Sequence, residues 1–464
     1  MKKRDILKSE LPSECIDSGL KAAVSLKTRT DLSKKEIIAL LSKVAASPVQ
    51  YRSDPHLKTL AEELLSTANK PEKKNRVSNA PFEVWGKDHG REPLKQLEQA
   101  CSLPVAIRGA LMPDAHVGYG LPIGGVLATD NAVIPYAVGV DIACRMRLSV
   151  VDLPLSFLDK KTDKLKSALE KNTLFGVGAC FRNRRQHEVM DRNWKISPVT
   201  ARIKDTAWGQ LGTSGSGNHF VEWGTFTTEK RIDDLPPGTY LALLSHSGSR
   251  GSGSRVANHY STLASKMHPE LPRELKHLAW LDLSTREGKE YWAAMELMGE
   301  YASANHELIH NSIVKYMKAS VLLSVENHHN FAWKEKHGNR QVIVHRKGAT
   351  PAHEGVRGII PGSMATPGFL VEGKGNAQSL RSSSHGAGRV MSRSQAKNTY
   401  RWKDARDLLS RNRVTVLSAG LDEIPMVYKD IMEVMQAQQD LVTVLGRFDP
   451  RIVKMAPAGE RAED

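Results

Sequence analysis

Between Phe82 and Lys454 one pattern recurs: a short β-rich run passes directly into a glycine-rich stretch that carries a histidine, an aspartate or an arginine. Met146 to Val151, Tyr240 to Leu244, Gln341 to His345 and Arg413 to Leu417 are such runs, while helical periodicity falls near Lys160 to Asn172, Gly288 to Met317 and Ile424 to Leu445. Strands and helices mixed along one chain, without an internal repeat, predict an α+β fold whose polar motifs collect on strand-end loops. Upstream, Ser33-Lys34-Lys35-Glu36 is a capping box that predicts a helix through Leu41, and a second helix is expected over Leu57 to Leu65. The charged stretch Lys70 to Asn75 reads as a linker. The expected organisation is a helical extension over 1–75, a large domain over 76–455 and a flexible tail over 456–464.

Charge narrows the partners. A net charge of +15 over 464 residues favours a polyanion, and with aromatics at only 6% the expected contacts are to phosphate more than to stacked bases. Cys15, Cys101, Cys144 and Cys180 lack CxxC spacing, which argues against a disulfide framework or a zinc ribbon. No apolar run is long enough to span a bilayer, so a reducing, cytoplasmic setting is expected.

The chemistry-bearing motifs lie in the glycine-rich stretches. Ser382-Ser383-Ser384-His385-Gly386-Ala387-Gly388-Arg389 holds one histidine in a loop built to meet phosphate: glycines admit backbone N–H groups, hydroxyls add donors and arginine supplies a fork. An imidazole placed there can act as ligand, acid/base or nucleophile; the alternative is a surface loop with an incidental histidine, since a lone glycine-rich loop is a weak motif. Met112 to Gly120 is a further polar segment, with Asp114 and His116, and Pro122 to Gly125 follows it. In Gly139-Val140-Asp141-Ile142-Ala143-Cys144-Arg145, a carboxylate and a thiol three residues apart can reach one metal, and a thiolate can bridge two. The alternative is a buried structural cysteine beside a capping aspartate. Asn218-His219-Phe220, Ser245-His246-Ser247-Gly248-Ser249-Arg250 and Asn327-His328-His329-Asn330 add imidazoles. Each is compatible with a semi-buried structural histidine, but together they suit one or two divalent ions. His306-Glu307-Leu308-Ile309-His310 matches the zinc-peptidase pattern on a helix, but it lacks a clear third ligand and reads as coincidence.

In this order, with His345-Arg346-Lys347-Gly348-Ala349-Thr350 and Pro361-Gly362-Ser363-Met364, the motifs resemble those of the RtcB family of RNA-splicing ligases from about Phe82 to Lys454. The resemblance implies an RtcB-like fold, with β-sheets framing a basic active-site cleft and helices around it. It also implies a GTP-dependent ligase that joins RNA 3′-phosphate or 2′,3′-cyclic phosphate ends to 5′-hydroxyl ends in RNA repair or tRNA splicing. His385 would carry GMP. Asp141, Cys144, His219, His246 and His329 would hold two manganese ions, with Cys144 between them. The donors alone would sooner suggest zinc, so manganese comes from the resemblance. The guanylate would be held by Asn218 to Glu222 (with His219, Phe220 and Val221), His329, Asn330, Pro361, Gly362, Ser363 and Met364. The loop of Gly386, Ala387 and Gly388, with Tyr428 and Lys454, would complete that set. Arg250 and Arg389 would meet RNA phosphate, and an archease-type activator is an expected partner.

Three features depart from the family pattern: Arg145 in place of a glycine, which is expected to bring a cation into the metal loop, Gly368 in place of a serine, and residues continuing past Lys454. Arg145 keeps open an alternative enzyme that caps 3′-phosphate ends and seals weakly. A non-catalytic RNA-binding paralogue is the other alternative.

Overall fold

The computed structural model describes residues 6, 9, 11, 12, 15–68 and 79–460, and the chain divides into two compact units, Met1–Arg76 and Val77–Asp464. The expected linker at Lys70 to Asn75 and the last four residues of the expected tail lie outside the described residues. The first unit contains helices α1 (Ile16–Arg29), α2 (Lys34–Ala46) and α3 (Lys58–Ala68). The capping box forms as expected: Ser33 Oγ accepts from the Glu36 backbone N–H, and Glu36 accepts from that of Ser33. Ala23, Leu26, Ile37, Leu41, Val44, Leu57 and Leu60 close a separate core.

The second unit is built on two sheets. Apart from a two-residue pair, Ala132–Val133 with Leu281–Asp282, its strands are β1 (Phe82–Val84), β2 (Ala106–His116), β3 (Ile123–Thr129), β4 (Arg145–Val151), β5 (Phe220–Thr228), β6 (Gly238–Ser247), β7 (Val321–His328) and β8 (Asn330–His337). Then come β9 (Arg340–Lys347), β10 (Ala349–Pro351), β11 (Arg357–Ile360), β12 (Gly368–Gly373), β13 (Ser382–Ser384), β14 (Thr415–Ser418) and β15 (Val442–Met455). One sheet has the order β1-β2-β3-β9-β8. The larger runs β11-β12-β15-β5-β6-β4-β7, with β14 added on β15, and β10 pairs β13 in a small ribbon.

The larger sheet is covered on both faces, which is why its central strands read as continuous apolar runs. On β6, Leu241 and Leu243 pack with Ile309, Ile313 and Met317 of a long helix (Arg286–Met317), while Ala242 and Leu244 join Met146, Leu148, Leu370 and Phe448 on the opposite face. The helices expected near Lys160 to Asn172 and Gly288 to Met317 are present as Thr162–Asn172 and Arg286–Met317.

The expected helix over Ile424 to Leu445 is not. Only Ile431–Gln436 is α-helical, with Asp430 as its N-cap, and β15 begins at Val442. Pro425 opens a 3₁₀ turn that ends at Val427, and the β-branched Val442, Thr443 and Val444 pair with Gly373, Glu372 and Val371 of β12. Burial in a sheet outweighs an apolar spacing that also fits a helix. Among the described residues no helix is long and apolar enough to cross a membrane.

Candidate active site

Strand register assembles the metal donors. Arg145, the first residue of β4, lies opposite Ser247 at the end of β6 and His328 at the end of β7, and Phe220 at the start of β5 lies opposite His246. The residues flanking these ends, Cys144, His219, His246 and His329, are therefore gathered at one edge of the sheet. The connecting loop is pinned: the N–H of Ala143, at φ +57°, donates to the Asn330 carbonyl at 2.7 Å, and the His329 N–H donates to the Cys144 carbonyl at 3.0 Å.

The donor atoms converge on one another. Cys144 Sγ lies 3.0 Å from His246 Nε2 and 3.3 Å from His219 Nε2, His246 Nε2 is 3.1 Å from His329 Nε2, and Asp141 Oδ2 is 3.0 Å from His219 Nε2. All five residues are buried. Two triads, Cys144–His246–His329 and Asp141–Cys144–His219, each bring their ligand atoms within 4.8 Å and share the cysteine. Lone pairs crowded in this way repel unless a cation or a proton lies among them, and thiolate, imidazole and carboxylate are ordinary ligands of divalent metals. The site therefore fits a metal. His246 Nδ1 donates to the Asn218 carbonyl at 3.2 Å, a bond that fixes the tautomer and leaves Nε2 bare. Burial holds His246 and His329 well below the usual histidine range, hence neutral. The Asp141 carboxyl is raised by burial but lowered more by His219 and Arg250, reaching about 2.

His385 stands next to this cluster, its ring centroid 4.9 Å from that of His329. It follows β13, whose pairing with β10 sets Ser384 opposite Ala349. Asp114 at the far end of β2 holds it: one carboxylate oxygen accepts from His385 Nδ1 at 2.6 Å and from the backbone N–H groups of His385 and Gly386 at 3.1 and 3.3 Å. Burial raises the Asp114 carboxyl, but His385, His116 and Lys429 together hold it below the usual carboxylate range. Nδ1 is thus the protonated nitrogen and Nε2 carries the lone pair. Gly388, at φ +76°, keeps the loop close, since a Cβ there would sit 2.0 Å from the Asp114 carbonyl oxygen. Asp114 was visible in the sequence only as part of a polar strand-end segment and had no role there.

His385 and four of the five candidate donors open into a cleft of about 680 Å³ lined by Asp141, Cys144, His246, His329, Asn330, Lys347, Pro361, Gly362, Gly386 to Arg389 and Tyr428. A recess of about 30 Å³ beside it is lined by Asn218, Phe220, Glu222, Gly362, Ser363, Met364, Glu423 and Tyr428. Burial pushes the Glu222 carboxyl well above the usual carboxylate range, which favours its protonated form. Tyr428 donates to Glu423, and the Arg389 guanidinium lies 5.4 Å from the Tyr428 ring while donating to the Asp422 carbonyl at 2.9 Å.

Some sequence expectations are placed elsewhere. Val221 and Lys454 are cross-strand partners, and neither lines the recess that Phe220, Glu222, Val453 and Met455 border. The Lys454 ammonium instead lies 3.4 Å from the carbonyls of Leu169, Glu170 and Thr173 around the end of the Thr162–Asn172 helix, where a cation complements the helix dipole. Arg250 is buried, donating to Thr213 Oγ1 and His219 Nδ1 at 3.3 Å each, behind the donors. Arg145 does not enter the metal loop. Its guanidinium turns to Glu326 and the Gly299 carbonyl, and Glu326 also bonds Arg147 and Ser303, which removes the feature that kept the weak-sealing alternative open. A side chain at Gly368 would meet Pro361 Cα at 3.3 Å, beside the cleft wall. The peptidase-like pair is structural: His306 contacts Ser245 and the Ser247 carbonyl, and His310 contacts Ser245 and Ser149, so all four ring nitrogens are engaged.

A family profile described as tRNA-splicing ligase RtcB matches residues 96–205 and 189–455. The RNA-splicing ligase RtcB of Escherichia coli K12 is 34% identical over 400 residues, covering 80% of this chain and 96% of that protein. The tRNA-splicing ligase RtcB of Nanoarchaeum equitans is 30% identical over 454 residues, covering 80% and 94%, and that of Thermococcus kodakarensis is 29% identical over 454 residues, covering 80% and 93%.

Proposed function

The chain belongs to the RtcB family and is an RNA ligase of tRNA splicing or repair. On that premise we propose that it joins 3′-phosphate or 2′,3′-cyclic phosphate ends to 5′-hydroxyl ends through a GMP carried on His385, with GTP and two manganese ions. The observation that carries this reading is a histidine whose Nδ1 is bound by a buried aspartate, set beside five converging metal donors.

Asp114 retains the Nδ1 proton, so the Nε2 lone pair of His385 attacks the α-phosphorus of GTP. A P–N bond forms and pyrophosphate leaves. The recess offers the guanine the Glu222 carboxyl, the Asn218 amide and the Tyr428 ring. An oxygen of the RNA 3′-phosphate then displaces the imidazole, and the 5′-hydroxyl oxygen displaces GMP from the activated end, leaving a phosphodiester. Asp141, Cys144, His219, His246 and His329 would hold the metal, which supplies charge neutralisation at phosphorus and a water able to open a cyclic end. Arg389 and Lys347 line the cleft where phosphate oxygens would pass. Burial lowers the Lys347 ammonium to about 7, so an incoming anion strengthens its protonation. An archease-type activator belongs to the same reading and would act on the rate of guanylylation.

The test is acid-labile label on the denatured protein after incubation with manganese and GTP labelled at the α-phosphate. Wild type takes label and His385→Ala takes none. Equal label on both, or none on wild type with metal bound, would refute the assignment.

A further inference from the structure

Tyr119 is 68% exposed and Val117 58% exposed, and both line the same cleft as His385. An apolar loop tip left in water at the mouth of a polar site points to a ligand. Mobility does not explain it, because the backbone beneath Tyr119 is held on several sides. The Lys347 ammonium donates to the Tyr119 carbonyl at 2.6 Å, and the Gln96 amide clasps the Gly118 carbonyl and N–H at 2.5 and 3.1 Å. Gly120, at φ +72°, lies so close to the His277 carbonyl that a Cβ would meet it at 2.9 Å. The His277 ring bridges the two tyrosines of this wall, 5.9 Å from Tyr119 and 4.8 Å from Tyr136 edge to face.

From this geometry we infer that Tyr119, backed by His277 and Tyr136, is a stacking platform for the 3′-terminal nucleobase of the RNA strand whose phosphate receives the guanylate. The inference rests on the end-joining reading above. The loop runs directly into Ile123 and Gly124, and these two residues and the Cε1 of His385 all lie within 3.2 Å of a Cβ built at Gly348. A strand whose terminal phosphate reaches His385 therefore has this wall beside its last nucleoside. Arg389, Arg393 and Lys347 line the same cleft; Glu423 and Asp422 pair with the two guanidiniums, so the Lys347 ammonium beneath Tyr119 is the cation that faces the RNA backbone there. A fixed aromatic ring accepts any base, because each has a π face, which suits an enzyme that joins ends of differing sequence. Tyr119 has no part in guanylylation on this assignment; it positions one substrate strand.

The experiment uses full-length protein with manganese and a short RNA bearing 2-aminopurine as its 3′-phosphorylated terminal base. Wild type and Tyr119→Phe quench the fluorescence. Tyr119→Ala does not, and its KM for the 3′ strand rises about tenfold while kcat changes less. Label from GTP on His385 at the wild-type rate shows that Tyr119→Ala is folded. Equal quenching by Tyr119→Ala, or quenching only when the probe is the terminal base of the 5′-hydroxyl strand, overturns the platform. Wild type that quenches but takes no label from GTP supports the platform and refutes the guanylylation reading; label without quenching does the reverse.

Discussion

Replacing Asp114 by Asn tests how His385 is activated. The amide oxygen can still accept from His385 Nδ1 and from the two backbone N–H groups, because a single carboxylate oxygen accepts all three and the other is unpartnered. Geometry is thereby kept and charge is lost. A hydrogen bond to an ionised acceptor is roughly twice as strong as a neutral one, a difference of about 1–2 kcal/mol. On the proposed mechanism the imidazole also gains positive character as it attacks phosphorus, and a unit charge about 4 Å away at an effective dielectric of about 20 contributes about 4 kcal/mol. Between these bounds the rate of guanylylation falls by about 10- to 1,000-fold. The assay is single-turnover transfer of α-phosphate label from GTP, run beside His385→Ala and with the KM for GTP and the melting temperature measured in parallel. A variant within threefold of wild type would refute the idea that the Asp114 charge activates His385. A lower rate accompanied by a collapsed melting temperature would instead assign Asp114 to structure.

Loading the apoprotein with cobalt(II) should produce a thiolate-to-metal absorption band that Cys144→Ser abolishes and Cys180→Ser preserves, because only Cys144 lies among the donors. Glu307→Gln should leave joining unchanged, whereas a peptidase reading of the His306–His310 helix requires that carboxylate; casein cleavage lost in this variant would overturn the structural assignment. Arg145→Gly should lower stability by about 2–4 kcal/mol in urea unfolding by breaking a largely buried pair, part of which Arg147 retains, and leave metal affinity within threefold. Stability should also fall in acid. Burial lowers His306 to about 3 and His345 to about 4, so below pH 6.5 only the unfolded chain takes up these two protons. Between pH 7 and pH 5 that removes about 2 kcal/mol for each, read as a lower urea midpoint, and a midpoint unchanged over that interval would contradict it.

What the sequence disclosed depended on how local the signal was. The glycine-rich loop around His385 and the Asp141–Cys144 pair are contiguous and so were visible, but each alone also fitted a structural reading, and only the order of several such motifs narrowed the chemistry. Asp114 lies 271 residues from His385, so nothing short of strand positions could have joined them. Lys454 was assigned by its place in a motif, but which side of β15 borders the recess depends on a register irregularity between Pro450 and Ile452 that composition does not reveal. Arg145 was expected in the metal loop because it follows Cys144, yet its carboxylate partner Glu326 arrives on β7 from 181 residues away. The helix misassigned over Ile424 to Leu445 shows the same limit, since β12 supplies the pairing that makes Val442 to Val444 a strand.

The way strand ends gather the metal donors has a consequence for quality control. Because side chains alternate along a strand, a slip of β6 by one residue against β4 and β5 would turn His246 away from the cluster and bring a serine in its place. The candidate donors come from four separate places between Asp141 and His329, so a metal ion could be captured by all of them only after the middle of the sheet has closed in the correct order. A ribosome-bound fragment or a misfolded copy would lack the assembled donor cluster, and any chemistry that depends on that cluster would be confined to molecules that had completed their fold.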